Sequence, residues 1–311
     1  MTPDAPPLLE AVDVSKAFGA VRALAGTSVA LHAGELVGLV GPDGAGKTSL
    51  IRALTGLMNV DSGTASIEGV PWARAPRSSR ESLGYMPQRF ALYPDLSVDE
   101  NLEFFGAVFG LSRRTFEERR ARLLEMTRLA PARDRPAGAL SGGMYKKLAI
   151  ACALLHSPRA LVLDEPTNGV DPVSRRELWA LLYELVDDGV GVLVATPYMD
   201  EAARCTRLLL LAEGTVLAEG TPSTLVATLD DPVLDVGPGA TREALESIEA
   251  HPGVLATAPS GDGVRLLVAK ERAPEVAKLL DALRLASRTA DPTLEDLFLS
   301  KMQRRRAGAK S

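Results

Sequence analysis

Residues Leu36–Leu57 read LVGLVGPDGAGKTSLIRALTGL, and the change of residue type along this stretch decides the fold. The first five are apolar without interruption, the pattern of a strand buried on both faces in a parallel sheet. The run Gly41-Pro42-Asp43-Gly44-Ala45-Gly46-Lys47-Thr48-Ser49 follows at once, and from Lys47 the spacing predicts a helix as far as Leu57. A strand, a glycine-rich loop and a helix in that order make a phosphate cradle. Gly41, Gly44 and Gly46 allow backbone angles closed to other residues. Successive N–H groups can then converge on an anion at the helix N-terminus. Lys47 supplies charge to the outer phosphates, and the Thr48 hydroxyl suits a magnesium ion. In the absence of phosphate the lysine side chain is expected to have no packing role.

Two more motifs carry candidate chemistry. Leu161–Pro166 reads LVLDEP, a strand ending in two acids. There Asp164 can reach a metal ion through water while Glu165 orients or deprotonates an attacking water. Taken alone, the pair is equally two solvent-facing acids. Ahead of it, Leu140–Met144 reads LSGGM. Ser141, Gly142 and Gly143 open a helix and can offer a hydroxyl and backbone N–H groups to an anion, or serve only as a helix cap. Gln88, in LGYMPQ, is by itself a surface amide. Phe18 either stacks on a nucleobase or packs at a turn. Asp171 precedes Pro172, as the N-cap of a following helix does.

In this order, GPDGAGKT, LSGGM and LVLDEP resemble the nucleotide-binding domain of ATP-binding-cassette (ABC) proteins, over residues 8–230 and more loosely beyond. The resemblance implies an α/β fold. It consists of a P-loop NTPase core with an antiparallel β subdomain and a helical insertion at about 95–155, together residues 1–230. A small α+β C-terminal domain with a basic tail is expected at 231–311. ATP and Mg²⁺ are the implied ligands. Gly41–Ser49 would hold the phosphates, Phe18 the adenine, and Thr48, Gln88 and Asp164 the metal. Glu165 would be the catalytic carboxylate, assisted by Gln88. Ser141, Gly142 and Gly143 would face the γ-phosphate held by a second nucleotide-binding domain, identical or different, with Asp171 at the seam. The chain looks similar to the ATPase subunits of drug and polysaccharide exporters, in particular to the first cassette of fused multidrug-exporter ATPases. That implies a separate integral-membrane permease, a peripheral place on the cytoplasmic face of the membrane, and no nucleic-acid partner. The loop Arg89–Leu96, with Phe90, Leu92 and Tyr93, matches the place where the family docks its permease.

Two positions depart from the family pattern. Met144 replaces the usual glutamine and keeps the backbone donors. Pro197, in ATPYMDEA, stands where the family has a histidine. Proline has neither an imidazole nor a backbone N–H, and losing one transition-state donor typically costs about 10²–10³ in rate. The Tyr198 hydroxyl is a candidate substitute. Two readings follow: a hydrolysing subunit that energises an exporter, or a catalytically weakened, nucleotide-gated subunit that binds ATP while a second cassette hydrolyses it. A third, an ABC protein of translation or DNA repair, predicts two cassettes or a long coiled-coil insertion, and neither stands in these 311 residues.

Composition agrees with a globular chain: 46% hydrophobic and 24% charged residues among 311 sit near the average. A net charge of −5 gives no basic field for nucleic acid. No apolar run approaches the roughly 18 residues of a membrane span. The opening MTPDAPPLLEAVDVS lacks the basic-then-apolar order of a signal peptide, so a membrane role is expected only through a partner. Cys152 and Cys205 give no pairing pattern; Cys152, in an apolar helical run, reads as a small buried thiol, which fits a reducing compartment, and His32, His156 and His251 read as structural or exposed.

Residues 8–14 and 27–32 read as strands, and Ser97 with Glu100 as a capping box. Met144–Leu155 and Pro172–Val186 are expected helices, Val190–Ala195 a strand, Met199–Arg204 a short helix, and Glu213-Gly214 the turn of a hairpin. Past a proline- and glycine-rich stretch at 222–240 the pattern reads strand, helix, strand, strand, helix, a strand near Leu285, and a last helix from Pro292. The tail KMQRRRAGAKS from Lys301 is expected to be a solvated end or one drawn to anionic lipid.

Overall fold

The computed structural model describes residues 6–89 and 92–308. Close contacts divide the chain into two units, one ending at Glu201 and including Cys205–Val216, the other formed by Ala202–Arg204 and everything from Leu217.

The first unit begins with β1 (Leu9–Phe18), β2 (Val21–Leu31), β3 (Leu36–Val40) and α1 (Lys47–Leu54). It continues through β4 (Ser62–Ile67), β5 (Val70–Pro71), α2 (Arg77–Arg80) and β6 (Leu83–Met86). Then come three helices, α3 (Val98–Val108), α4 (Arg113–Met126) and α5 (Gly142–Leu154), which form the helical insertion. The alternating pattern resumes with β7 (Ala160–Asp164), α6 (Pro172–Asp187), β8 (Gly191–Thr196), α7 (Met199–Ala202) and β9 (Arg207–Ala212), and β10 (Thr215–Gly220) begins here and runs on into the second unit.

Two sheets result: an antiparallel one in the order β2-β1-β4-β5 and a six-stranded one in the order β10-β9-β3-β8-β7-β6. In the larger sheet β6, β7, β8, β3 and β9 are parallel neighbours. Every residue of β3, β7 and β8 is buried, as their unbroken apolar runs require. Leu50, Ile51 and Leu54 of α1 share one core with Leu9 and Leu31 of the small sheet and Leu39, Val162, Leu193 and Leu209 of the large one. The helix therefore fills the apolar layer between the sheets. Register decides where the site can be. Val40 lies beside Thr196, and Asp164 beside Ala195, so three strands end level at one edge. The crevice outside the carboxyl ends of such strands is where parallel sheets bind ligands.

Several boundaries differ from the expectation. β1 and β2 run on to Phe18 and back from Val21, longer than the apolar pattern indicates. Their outer halves are half-exposed and irregular in register, with Asp13 at φ 51, so alternation there is blurred. Helix α1 stops at Leu54, because Gly56 turns at φ 70. The capping box of α3 forms both ways, Ser97 accepting from the Glu100 N–H and Glu100 from the Ser97 N–H.

In the second unit α8 (Pro222–Val226) is followed by β11 (Val233–Val236), α9 (Arg242–Glu249), β12 (Val254–Ser260), β13 (Gly263–Val268), α10 (Ala273–Ala282), β14 (Ser287–Thr289) and α11 (Leu294–Gly308). The sheet order β12-β13-β11-β14, antiparallel where β11 meets β13 and β14, is that of a split βαβ (ferredoxin-like) module. Ile248 of α9 and Val276 and Leu280 of α10 pack on Val236, Leu266 and Val268 of the sheet. The basic tail is corrected up to Arg306: Lys301–Arg306 continue α11 and are not a loose end. Arg304 pairs with Asp231, which is 4% exposed and also accepts from Ser300 Oγ at 2.6 Å and the Lys270 N–H at 3.0 Å. Burial alone would raise the Asp231 pKa, but Arg304 and Ser300 outweigh it and hold it low. A buried carboxylate thus recruits the tail's arginine. The residues after 308 lie outside the described part.

Candidate functional site

The glycine-rich loop closes over the end of β3. Gly44 and Gly46 turn at φ 77 and φ 104, in the left-handed region that side chains avoid. A Cβ on Gly41 would stand 2.1 Å from the carbonyl oxygen of Leu211, so only glycine fits. Ala45 is pinned between its N–H on Pro42 O at 3.1 Å and its carbonyl under the Gly214 N–H at 2.9 Å. Pro42, Asp43 and Gly44 are exposed, and Ser49 is half-buried on the first turn of α1. The N–H groups of that turn have no partner within the helix, which suits an anion. The expectation for Lys47 is corrected. It is 5% exposed, and its ammonium donates to Gly41 O at 2.7 Å and to Pro42 O at 3.0 Å. The ammonium thus bridges two carbonyls of its own loop.

Behind the loop, the Thr48 hydroxyl donates to Asp164 Oδ2 at 2.9 Å. Asp164 is 1% exposed, and its Oδ1 is buried without a hydrogen-bond partner. Burial, and next the charge of Glu165, push its pKa up against the Thr48 hydrogen bond. A hard divalent cation fits such a place: two oxygen donors, one of them an unpaired buried carboxylate oxygen. Gln88 donates from Nε2 to Glu165 Oε2 at 2.8 Å, which leaves its amide oxygen as the donor for a metal. Glu165 is 6% exposed and adopts φ 51, rare for a residue with a side chain. Asn168 Nδ2 also donates to Glu165 Oε2, at 3.1 Å. Asn168 escapes the sequence reading, although its place one turn after Glu165 in PTN is a signal for it.

The signature turn stands apart from this cluster. Ser141 caps α5 by accepting from the Met144 N–H at 3.3 Å. Positions for a Cβ on Gly142 and Gly143 fall 3.1 Å from Gly169 O and 2.3 Å from Ser174 Cβ. The turn is therefore packed on the segment that contains Asp171. Asp171 caps α6, accepting from the Val173 and Ser174 N–H groups at 3.0 and 2.9 Å. Ser141, Gly142, Asn168, Gly169, Asp171 and Val173 are all exposed. Among the described residues no hydrogen bond joins this patch to the glycine-rich loop of the same chain.

Phe18 is 52% exposed, with the Lys16 ammonium 5.8 Å from its ring centre. That exposure leaves its ring open to stacking at the turn. Asp61 holds its base, accepting from Lys16 Nζ at 2.6 Å and the Ala17 N–H at 2.8 Å. In the segment Arg89–Leu96, Leu92 is buried while Tyr93 is exposed and meets Phe104 edge-on at 4.5 Å. Phe90 lies outside the described residues.

Pro197 follows the last residue of β8 and is half-buried. Thr196, beside it, donates to the fully buried Glu201 at 2.6 Å and accepts from the Tyr198 N–H at 3.1 Å. The Tyr198 ring lies under the guanidinium of Arg175, 5.2 Å away. His32, His156 and His251 belong to other segments. His156 sits on Leu83 O at 2.9 Å and stacks on Phe109. Both cysteines are free and buried; burial pushes the Cys205 thiol up to about 12 and the Cys152 thiol up as well.

A glycine-rich loop opening a helix, with a threonine–aspartate pair behind it and a glutamine–glutamate pair beside it, defines a P-loop ATPase. A family model described as ABC transporter matches residues 24–168. The probable multidrug ABC transporter ATP-binding protein YbhF of Escherichia coli (strain K12) is 41% identical over 280 residues, covering 89% of this chain and 48% of that protein. The chain thus spans about half the length of that relative. Nod factor export ATP-binding protein I of Burkholderia lata is 37% identical over 292 residues, covering 92% of this chain and 94% of that one. Among solved structures, an ATP binding subunit of an ABC transporter matches with TM-score 0.64 and 33% identity, covering 71% of this chain and 92% of that chain. A bacterial ABC transporter cassette solved as a dimer matches with TM-score 0.62 and 26% identity, covering 68% of this chain and 98% of that chain. The chain belongs to the ATP-binding proteins of ABC transporters, a family of ATPases. No helix among the described residues is long and apolar enough to cross a membrane.

Proposed function

We propose that this chain binds ATP with Mg²⁺ and hydrolyses it to drive export, of a drug or related compound, through a separate membrane permease. The observation that carries the reading is the convergence of Lys47, the Thr48–Asp164 pair and the Gln88–Glu165 pair at one edge of the parallel sheet. Lys47 supplies charge to the β- and γ-phosphates, and the loop N–H groups meet their oxygens. Thr48, Asp164 and the amide oxygen of Gln88 would hold the metal, which would supply positive charge against that building on the phosphate oxygens. Glu165, aimed by Gln88 and Asn168, orients the attacking water and takes its proton.

The relatives' names, multidrug and Nod factor export, support an exporter. The exposed patch of Ser141, Gly142 and Asp171 suits a second cassette, so that each ATP lies between one loop and the opposite signature turn. The permease then holds the chain at the cytoplasmic face, against the segment around Tyr93 and Phe104.

Pro197 favours a second reading, in which this chain's own site turns over slowly and its signature turn completes a competent site on a partner. Steady-state hydrolysis by the purified chain decides between them. Under the first reading it proceeds briskly, is abolished by Glu165→Gln with ATP binding kept, and hardly changes in Pro197→His. Under the second it is slow, and Pro197→His raises it by about 10²-fold. Undetectable ATP binding would refute both.

A further inference from the structure

Lys146 has no role in the site as described so far. It lies on α5, within a turn of the signature residues that open that helix, and it is half-buried. Its ammonium donates to Glu165 O at 3.4 Å and to Gln88 O at 3.5 Å. These are long contacts, but they are made by a charge to the backbone of the two residues that carry the candidate catalytic side chains. Burial lowers the Lys146 pKa, opposed by the charges of Glu165 and Asp164, so the ammonium also lies in the field of both acids.

Glu165 needs such support, because its left-handed backbone, φ 51, is strained for a residue with a Cβ. Its N–H is held by Ala195 O at 2.9 Å, and its carboxylate by Gln88 and Asn168. Its carbonyl is shared between the Asn168 N–H, at 3.4 Å, and Lys146. Of these contacts, the one from Lys146 comes from α5, the helix that carries the signature turn.

We propose that Lys146 is a positioning residue that ties the backbone of Glu165 and Gln88 to α5, so that the signature turn and the carboxylate of the same chain's site move together. This rests on Glu165 acting as the base of the proposed function. A displacement of α5, as when a partner's nucleotide engages Ser141–Gly143, then re-aims Glu165 directly.

Two variants of the full chain test it, Lys146→Met and Lys146→Arg. Hydrogen exchange of the nucleotide-free protein reads the tie without any need for turnover. The peptide spanning Asp164–Val170 should exchange about tenfold faster in Lys146→Met and near the wild-type rate in Lys146→Arg, with Tm unchanged. In hydrolysis of MgATP, kcat should fall about tenfold in Lys146→Met with KM steady, and Lys146→Arg should restore it. Unchanged exchange in the methionine variant overturns the proposal. So does faster exchange spread over the whole first unit with a lowered Tm, a failure of arginine to rescue, a rise in KM matching the fall in kcat, or an unchanged kcat in an active enzyme. If exchange responds but the wild type has no ATPase activity, the tie stands and the hydrolysing function falls. If exchange is unchanged in an active enzyme, the function stands and the tie falls.

Discussion

Lys47→Met removes an ammonium and keeps its stem, and the structure predicts two separate losses. The Lys47 Nζ donates to Gly41 O and Pro42 O at 2.7 and 3.0 Å. Two hydrogen bonds from a charged donor are worth about 3 kcal/mol together at the low end. Burial works against the charge, and it lowers the Lys47 pKa despite the opposing pull of Glu165, Asp43 and Asp164. Pro42 is exposed and its carbonyl can turn to water, whereas Gly41 is buried. The net loss on substitution should therefore be near 1 kcal/mol, or about 2–4 °C in Tm for a domain of this size. With triphosphate bound, the ammonium meets phosphate charge, and truncating such a buried charged partner costs about 3 kcal/mol. Subtracting the ~1 kcal/mol already lost without nucleotide leaves about 2 kcal/mol, or roughly 30-fold in affinity. Calorimetric titration with MgATP and thermal melts without nucleotide measure the two terms. Equal MgATP affinity in wild type and variant would refute the phosphate role. A Tm identical to wild type would refute the loop-closing role, in which case the carbonyls were never dependent on the ammonium.

Gly142 and Gly143 should respond differently to the same added methyl group. Gly143→Ala drives a Cβ to within 2.3 Å of Ser174 Cβ and should cost about 1–3 kcal/mol through overpacking. Gly142→Ala meets only Gly169 O at 3.1 Å; it should melt as wild type does yet impair hydrolysis at a partner's site, and a normal partner rate would exclude that role. Acid should weaken the fold through His156. Its Nε2 donates to Leu83 O, its Nδ1 is buried without an acceptor, and burial lowers its pKa from 6.5. The unfolded chain then binds the proton more readily, so stability is full above 6.5 and is lost as pH falls below that towards the lowered value. Melts between about pH 7.5 and 5 should show a larger fall in Tm for wild type than for His156→Gln, and parallel curves would exclude the histidine as the cause.

What the sequence discloses here is whatever rests on local pattern. The strand, loop and helix around Gly41–Thr48, the unbroken apolar strands β7 and β8, and the capped helices α3 and α6 depend on spacing within a dozen residues, and each stands within a few residues of where the pattern puts it. From β11 onward the element order of the C-terminal unit is legible for the same reason, whereas α8 lies hidden in a stretch that reads only as rich in proline and glycine. Contacts across long separations are not. Nothing local says that Gln88 Nε2 would meet Glu165, that Lys146 would reach both carbonyls, or that Arg304 would be drawn from the tail to Asp231. The irregular register of β1 with β2 is hidden too, since a half-exposed sheet alternates too weakly to mark its ends. Lys47 shows a further limit: its motif gives no sign of the loop carbonyls that its ammonium holds.

The same distinction bears on Pro197. A missing histidine could signal a site that has decayed or one that lost a single group, and the surroundings separate these cases. Thr196, which precedes the proline, is fixed in register beside Val40 at the end of β3. Its hydroxyl donates to the buried Glu201, whose other oxygen faces Arg175 at 3.6 Å, while Tyr198 is held by Thr196 and by the same arginine. The strand end is thus anchored on both sides of the proline by contacts that need nothing from residue 197 itself. The substitution reads as a local chemical deletion in a preserved frame. Pro197→His should therefore leave Tm unchanged under either reading, and raise turnover only if this chain's own site is the slow one. A histidine variant that melts well below wild type would mean that the segment has adapted to proline, and the frame argument would fail.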